Sequence, residues 1–222
     1  MAGMAMSLRV VVPPHPLIAN WLTLLRDRHT PDPLFATAMA ELGRWLTYEA
    51  VRDWLPQRAV EVETPLSRSE GTIVDPEIPL LAVALLPSGL GLWQGGQPVL
   101  PGARVALLAP AAPGEGWALD TLPAAIGERV GVLVYAPVIA TGRTLLAALE
   151  RLRTLGVQGP RLRVITSVAA APGLKLIGEQ IADLTLYCSC IDAELDGEGR
   201  LLPGFGDPER RLHGIGAAGC LS

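Results

Sequence analysis

Between Leu80 and Ile191, short apolar runs alternate with amphipathic stretches. Leu80–Leu86, Val105–Leu108, Val130–Tyr135, Leu162–Val168 and Leu184–Ile191 are apolar at successive positions, the pattern of strands buried on both faces. Leu92–Leu100 and Gly173–Ala182 read as helical segments between them. Thr144–Leu155 predicts a helix with Leu145, Leu149, Leu152 and Leu155 on one side and Gly156 at its end. Upstream, Asp32-Pro33 predicts a helix start, a capping side chain followed by a proline whose missing N–H is not needed there. Behind it Phe35, Met39, Leu42, Leu46 and Leu55 recur near the helical period as far as Pro56. Strands and helices in this alternation predict one α/β domain, a mostly parallel sheet flanked by helices. Ligands of such sheets bind at the carboxyl ends of the strands, which singles out the loops after Leu86, Tyr135, Val168 and Ile191.

Composition narrows the partners. Half of the 222 residues are hydrophobic, 18% are charged, and 24 glycines and 20 prolines supply many turns. A net charge of −4, with no basic cluster beside aromatic residues, speaks against a nucleic acid partner. The apolar stretch Ile78–Trp93 is broken by Pro79, Pro87, Ser88, Gly89 and Gly91 and falls short of the roughly 20 residues of a membrane helix. Met1 to Pro14 lacks the charged-then-apolar order of a signal peptide, so a cytoplasmic location is expected. Cys188-Ser189-Cys190 does not have zinc spacing and reads as small buried or half-buried thiols.

Candidate chemistry lies in three segments. Ala136-Pro137-Val138-Ile139-Ala140-Thr141-Gly142-Arg143-Thr144 joins a strand to a helix, where unpaired backbone N–H groups and the hydroxyls of Thr141 and Thr144 would cup a phosphate. The alternative is an ordinary turn in which Thr141 or Thr144 caps the helix. It is not a Walker loop, since Gly-Lys-Ser/Thr is absent. Gly89-Leu90-Gly91 is not a dinucleotide fingerprint, because Gln94 replaces the third glycine; a tight turn is the alternative there. Pro203-Gly204-Phe205-Gly206-Asp207, after Ile191-Asp192, offers a flat ligand close backbone approach and one carboxylate, or else is a solvated turn.

Thr23-Leu24-Leu25-Arg26-Asp27 with Thr30 and Phe35, Gly43 with Tyr48-Glu49 and Arg52-Asp53, and Glu63-Thr64-Pro65-Leu66 together resemble the N-terminal half of uracil phosphoribosyltransferases. Ala140-Thr141-Gly142 and Ile191-Asp192 with Pro203-Gly204-Phe205-Gly206-Asp207 resemble that family's donor loop and uracil-binding stretch. The likeness spans Pro16 to Gly214, which leaves 1–15 and 215–222 as tails on a single domain, 16–214. It implies a type I phosphoribosyltransferase fold with a small C-terminal hood. It also implies a homodimeric enzyme that converts uracil and phosphoribosyl pyrophosphate to uridine monophosphate (UMP) and pyrophosphate, with Mg2+ on the leaving group. By the same likeness Ala140, Thr141, Gly142, Arg143 and Thr144 would hold the 5′-phosphate. Ile191, Gly206 and Asp207 would surround uracil, with Asp207 as the candidate catalytic group.

The chain also departs from the family. Its Arg-Ala-Gly-Leu-Gly is here Pro87-Ser88-Gly89-Leu90-Gly91, the Asp that opens its donor loop is Ala136, and a following Gly is Arg143. The stretch expected to form a mobile loop, Ala109–Trp117, is short, and no Arg or Lys occurs between Val105 and Glu128. Catalysis depends on neutralising the departing pyrophosphate, so impaired turnover is expected. Arg143 could supply a replacement cation or simply be solvated. The alternative is a non-catalytic paralogue that binds UMP, or a partner protein, as a regulator.

Overall fold

The computed structural model describes residues 8–112 and 115–214. In chain order the elements are β1 (Leu8–Val11), α1 (Pro16–Arg26), α2 (Asp32–Val51), β2 (Gln57–Glu63), β3 (Arg68–Val74), β4 (Leu80–Leu85), α3 (Gly89–Gly96), β5 (Arg104–Pro110) and β6 (Trp117–Asp120). They continue with β7 (Gly131–Ile139), α4 (Arg143–Thr154), β8 (Leu162–Ala170), α5 (Ala171–Gln180), β9 (Leu184–Asp192), β10 (Glu194–Leu195), β11 (Leu201–Leu202) and α6 (Pro208–His213). Seven strands form one sheet in the order β1-β9-β8-β7-β4-β5-β6. All neighbours are parallel except β5 and β6. The loops after β4, β7, β8 and β9 therefore leave the sheet along one edge, as expected from the sequence.

Side-chain alternation sorts the two faces of the sheet. Leu81, Val83 and Leu85 of β4 join Val132 and Val134 of β7 in the core under α4 and α5. Ala82 and Ala84, with Leu133 and Tyr135, face the core that holds α1, α2 and α3. The small alanines leave room for α3, and glycines let α2 and α3 touch through their backbones. A Cβ at Gly43 would lie 1.9 Å from the Leu92 carbonyl oxygen, and one at Gly95 would lie 1.6 Å from that of Ala40. Tyr135, fully buried, meets the Thr47 hydroxyl at 3.0 Å and packs edge-on against Trp93.

The opposite, amino edge of the sheet is pinned by Arg163 of β8. Its guanidinium lies 5.3 Å from the Trp54 ring and 5.7 Å from the Tyr187 ring, and it donates to Asp53 and to the Tyr187 hydroxyl, both at 3.0 Å. This ties the end of α2 to the sheet and holds the Asp53 carboxyl below its ordinary range.

Several elements differ from the expectation. Leu8–Val11 is an edge strand paired with β9, so the domain reaches back into the segment expected to be a tail. The segment 215–222 and two positions of the expected mobile loop, 113 and 114, lie outside the described residues; around the latter, β5 and β6 pair as a hairpin. Helix α1 is additional. Asp32 lies inside the first turn of α2 behind Pro31, and its side chain makes no capping bond. Gly89-Leu90-Gly91 opens α3 instead of forming a separate turn. Strands β2 and β3 make a two-stranded arm, exposed or half-exposed along its length, with Leu66 at its tip 97% exposed.

Candidate functional site

Strand β7 delivers the loop 140–142 to the start of α4. Gly142 is the residue before the helix, at φ +80°, a conformation that disfavours a side chain. It also sits against the first turn of α5: a Cβ at Gly142 would lie 2.7 Å from the Gly173 carbonyl oxygen, and one at Gly173 would lie 2.3 Å from that of Ala140. Neither Thr141 nor Thr144 caps α4, whose N-cap residue is Gly142. Leu146 N–H donates to the Gly142 carbonyl at 2.9 Å, so the N–H groups of Arg143, Thr144 and Leu145 have no acceptor within the helix. Thr141, Arg143 and Thr144 are exposed beside them, and Arg143 makes no ion pair among the described residues. The result is a candidate anion cup at the start of a 12-residue helix, where a phosphate could meet free N–H groups.

Strand β9 ends at the second part of the site. Ile191 is 43% exposed, whereas Asp192 beside it is buried. The Asp192 carboxylate accepts from Arg26 through both guanidinium nitrogens, at 2.6 and 3.4 Å, and from the Gly204 N–H at 2.9 Å. Arg26 also donates to the Gly204 carbonyl at 3.2 Å. Burial is the largest single influence and lowers the Arg26 pKa, but the hydrogen bond and charge attraction of Asp192, with smaller help from Cys190, together raise it. Strands β10 and β11 form the small hood, and a Cβ at Gly199 in their turn would lie 3.5 Å from the Thr141 methyl. The hood thus closes onto the anion cup. Gly206 is exposed at φ +83°. Asp207 Oδ1 accepts from the N–H groups of Glu209 and Arg210 at 2.9 and 3.3 Å, so this carboxylate caps α6 and has one oxygen left for a ligand.

The third part follows β4. Pro87 is exposed; Ser88 is fully buried at the start of α3, and its hydroxyl has no hydrogen-bond partner among the described residues. Such orphans are rare in folded proteins. Ala136 is 1% exposed and packs in the apolar core on the α4 side, so its Cβ is turned away from solvent. A carboxylate there would enter the core.

The loops singled out from the sequence lie along one sheet edge, but the sequence gives no sign of the link between Arg26 and Asp192. Both residues lie in stretches quoted for the family likeness, yet 166 positions separate them and no spacing rule connects them. Among the described residues no three His, Cys, Asp or Glu side chains form a metal-holding group. No helix among them is long and apolar enough to cross a membrane.

The two described cysteines make a testable contrast. Cys188 is buried and its thiol is pushed up to about 12, chiefly by burial and then by the neighbouring Cys190. At pH 8 that leaves on the order of 10⁻⁴ of it ionised. Cys190 is half-buried, 3.8 Å from Asp192. In a Cys220→Ser background, iodoacetamide at pH 8 is expected to label Cys190 and spare Cys188 by peptide mass spectrometry. Equal labelling of both would contradict the buried placement of Cys188.

Comparison with known proteins agrees with this fold. The family profile described as uracil phosphoribosyltransferase matches residues 12–214. A uracil phosphoribosyltransferase of Synechococcus elongatus is 46% identical over 220 residues, covering 95% of this chain and 99% of the relative. One of Nicotiana tabacum is 37% identical, covering 92% and 93%. Among solved structures, the AQ2163 protein of Aquifex aeolicus superposes with a TM-score of 0.83 at 28% identity, covering 94% of this chain and 100% of that one.

Proposed function

Because the chain belongs to the uracil phosphoribosyltransferase family, we propose that it joins uracil to phosphoribosyl pyrophosphate and releases UMP and pyrophosphate. The observation that carries the reading is the pairing of the anion cup at α4 with the 203–207 turn on one sheet edge, bridged where Gly199 meets Thr141. In the reaction the N1–C1′ bond forms as the C1′–O bond to pyrophosphate breaks. The uracil N1 proton leaves to solvent or to a phosphate oxygen.

Each part of the site has a role in this reading. The N–H groups of Arg143, Thr144 and Leu145, with the Thr141 and Thr144 hydroxyls, hold the 5′-phosphate; Ala140 and Gly142 shape the loop. Uracil lies against Ile191 and Gly206, with the free oxygen of Asp207 near it. Mg2+, carried in on the donor's phosphates, would supply positive charge to the departing pyrophosphate. The chain's own residues then bind, orient and exclude water. The assembly is a homodimer in which a second protomer covers the β2–β3 arm. An isolated two-stranded hairpin is marginal in water, and this one leaves Val62, Leu66, Ile73 and Val74 exposed.

Incubating the purified chain with uracil, phosphoribosyl pyrophosphate and Mg2+ is expected to yield UMP, and light scattering is expected to give twice the monomer mass. A second reading, a UMP-binding regulator without turnover, is favoured by the exposed Pro87, where the family likeness leads one to expect an arginine. Calorimetry separates the two: a regulator binds UMP but gives no product. A chain that forms no product and binds no UMP would overturn both.

A further inference from the structure

We infer that Arg26 and Asp192 act together as positioning residues for uracil, by holding the 203–207 turn in the shape that receives the base. The inference rests on the proposed uracil site. It is carried by how that turn is fixed. Across Pro203 to Gly206, among the described residues, no main-chain group bonds to another main-chain group. A turn that lines a ligand site cannot rely on water to set its shape, and here two side chains set it. Gly204 has its N–H accepted by Asp192 Oδ2 at 2.9 Å and its carbonyl bonded by Arg26 Nη1 at 3.2 Å. Arg26 in turn grips Asp192 at 2.6 Å, with the Asp192 side chain 2% and the Arg26 side chain 22% exposed. Phe205 anchors the turn from the other side against Phe35, ring centroids 5.8 Å apart. Gly206 and Asp207 therefore follow from a fixed point.

The planar guanidinium is the reason an arginine stands here. Its fork can engage a carboxylate and a carbonyl in one plane, whereas a lysine ammonium is a point charge without that fixed geometry. The clamp joins the last residue of α1 to the end of β9 and to the hood, so it acts on the base side of the site and not on the anion cup, which is built from the loop after β7 and the first turn of α5.

The test compares Arg26→Met, Arg26→Lys and Asp192→Asn with the wild type by steady-state kinetics, with both substrates varied, and by UMP calorimetry. Circular dichroism melts confirm that each variant is folded. Losing a charge-assisted hydrogen bond that fixes a ligand site corresponds to about tenfold to a hundredfold in affinity. Arg26→Met and Asp192→Asn are expected to raise the uracil KM and the UMP Kd by that factor, with the phosphoribosyl pyrophosphate KM within about twofold of wild type. Arg26→Lys is expected to recover part of the loss, and it supplies the same comparison should Arg26→Met not fold. An unchanged uracil KM in a folded variant, or equal rises in KM for both substrates, overturns the positioning role. If the wild type itself neither forms nor binds UMP, the uracil site falls first and this inference with it.

Discussion

Wild-type UMP synthesis is expected to run below the ordinary enzyme range of about 1 to 10³ per second, and Pro87→Arg is expected to raise it by up to about a hundredfold. The expectation comes from charge. One well-placed donor to a developing anion contributes roughly 3 kcal/mol to the transition state. Beside the Leu86–Ser88 loop this chain offers a proline ring, and the stretch from Val105 to Glu128 carries no Arg or Lys. Pro87 is exposed, so an arginine there has room to reach the departing pyrophosphate without disturbing the core.

The other departure behaves differently. Ala136→Asp is expected to cost several kcal/mol of stability and to restore nothing, because the side chain points into the apolar core and a buried, unpaired carboxylate is strongly disfavoured. Stopped-flow or coupled pyrophosphate release measures the first effect and chemical denaturation the second. Arg143→Gly tests whether the exposed arginine at the cup replaces the missing charge, in which case turnover collapses. Wild-type turnover within the ordinary range would overturn the expectation, and Arg143→Gly would then show whether Arg143 accounts for it.

A comparably large loss of stability is expected where α2 and α3 cross. Gly95→Ala would set a methyl group 1.6 Å from the Ala40 carbonyl oxygen, and Gly43→Ala would set one 1.9 Å from that of Leu92. Both obstacles are backbone, so no side chain can swing aside and the helices must part. Overpacking of this kind costs about 3 kcal/mol or more. For a chain of this size that lowers Tm by roughly 10 °C. Gly102→Ala is the control, since nothing lies within 4 Å of its Cβ position. Melts of the three variants in parallel decide the matter; a Gly95→Ala protein as stable as wild type would mean the crossing is looser than described. Activity should fall as well, because α3 begins at the Pro87–Ser88 loop.

How much of this was legible in the sequence depended on burial. Strands β4, β7, β8 and β9 could be read because both of their faces are covered, which writes continuous apolar runs into the chain. The arm β2–β3 could not, because it packs against nothing along most of its length and so imposes no pattern. Helix α1 was hidden for a related reason. Only Ile18 and Leu25 are buried in it, and His15, an uncommon cap, accepts from the Leu17 N–H at 3.2 Å at its start. The loop into α4 was legible because its parts are consecutive in the chain. The orientation of Ala136 and the grip of Arg26 on Asp192 depend on how distant segments meet, and composition or spacing does not encode that directly.

The ends of the main sheet also bear on how the molecule stays in solution. Each closes on a strand of four residues, β1 on one side and β6 on the other, and the β5–β6 register shifts between Ala109 and Pro110. Short or irregular borders offer little template for a stray chain to add itself by strand pairing. The arm is the contrary case, with two seven-residue strands and no covering layer within its own protomer, so it is open until the proposed second protomer seats on it. What guards it is charge: Arg68 stands 3.5 Å from Glu61 and 3.6 Å from Glu63, and Arg58 3.4 Å from Glu77, interrupting what would otherwise be a β-prone surface. Exchanging Glu61, Glu63 and Arg68 for valine would remove those gatekeepers. The sheet would stay closed, and self-association into insoluble material would start from the arm.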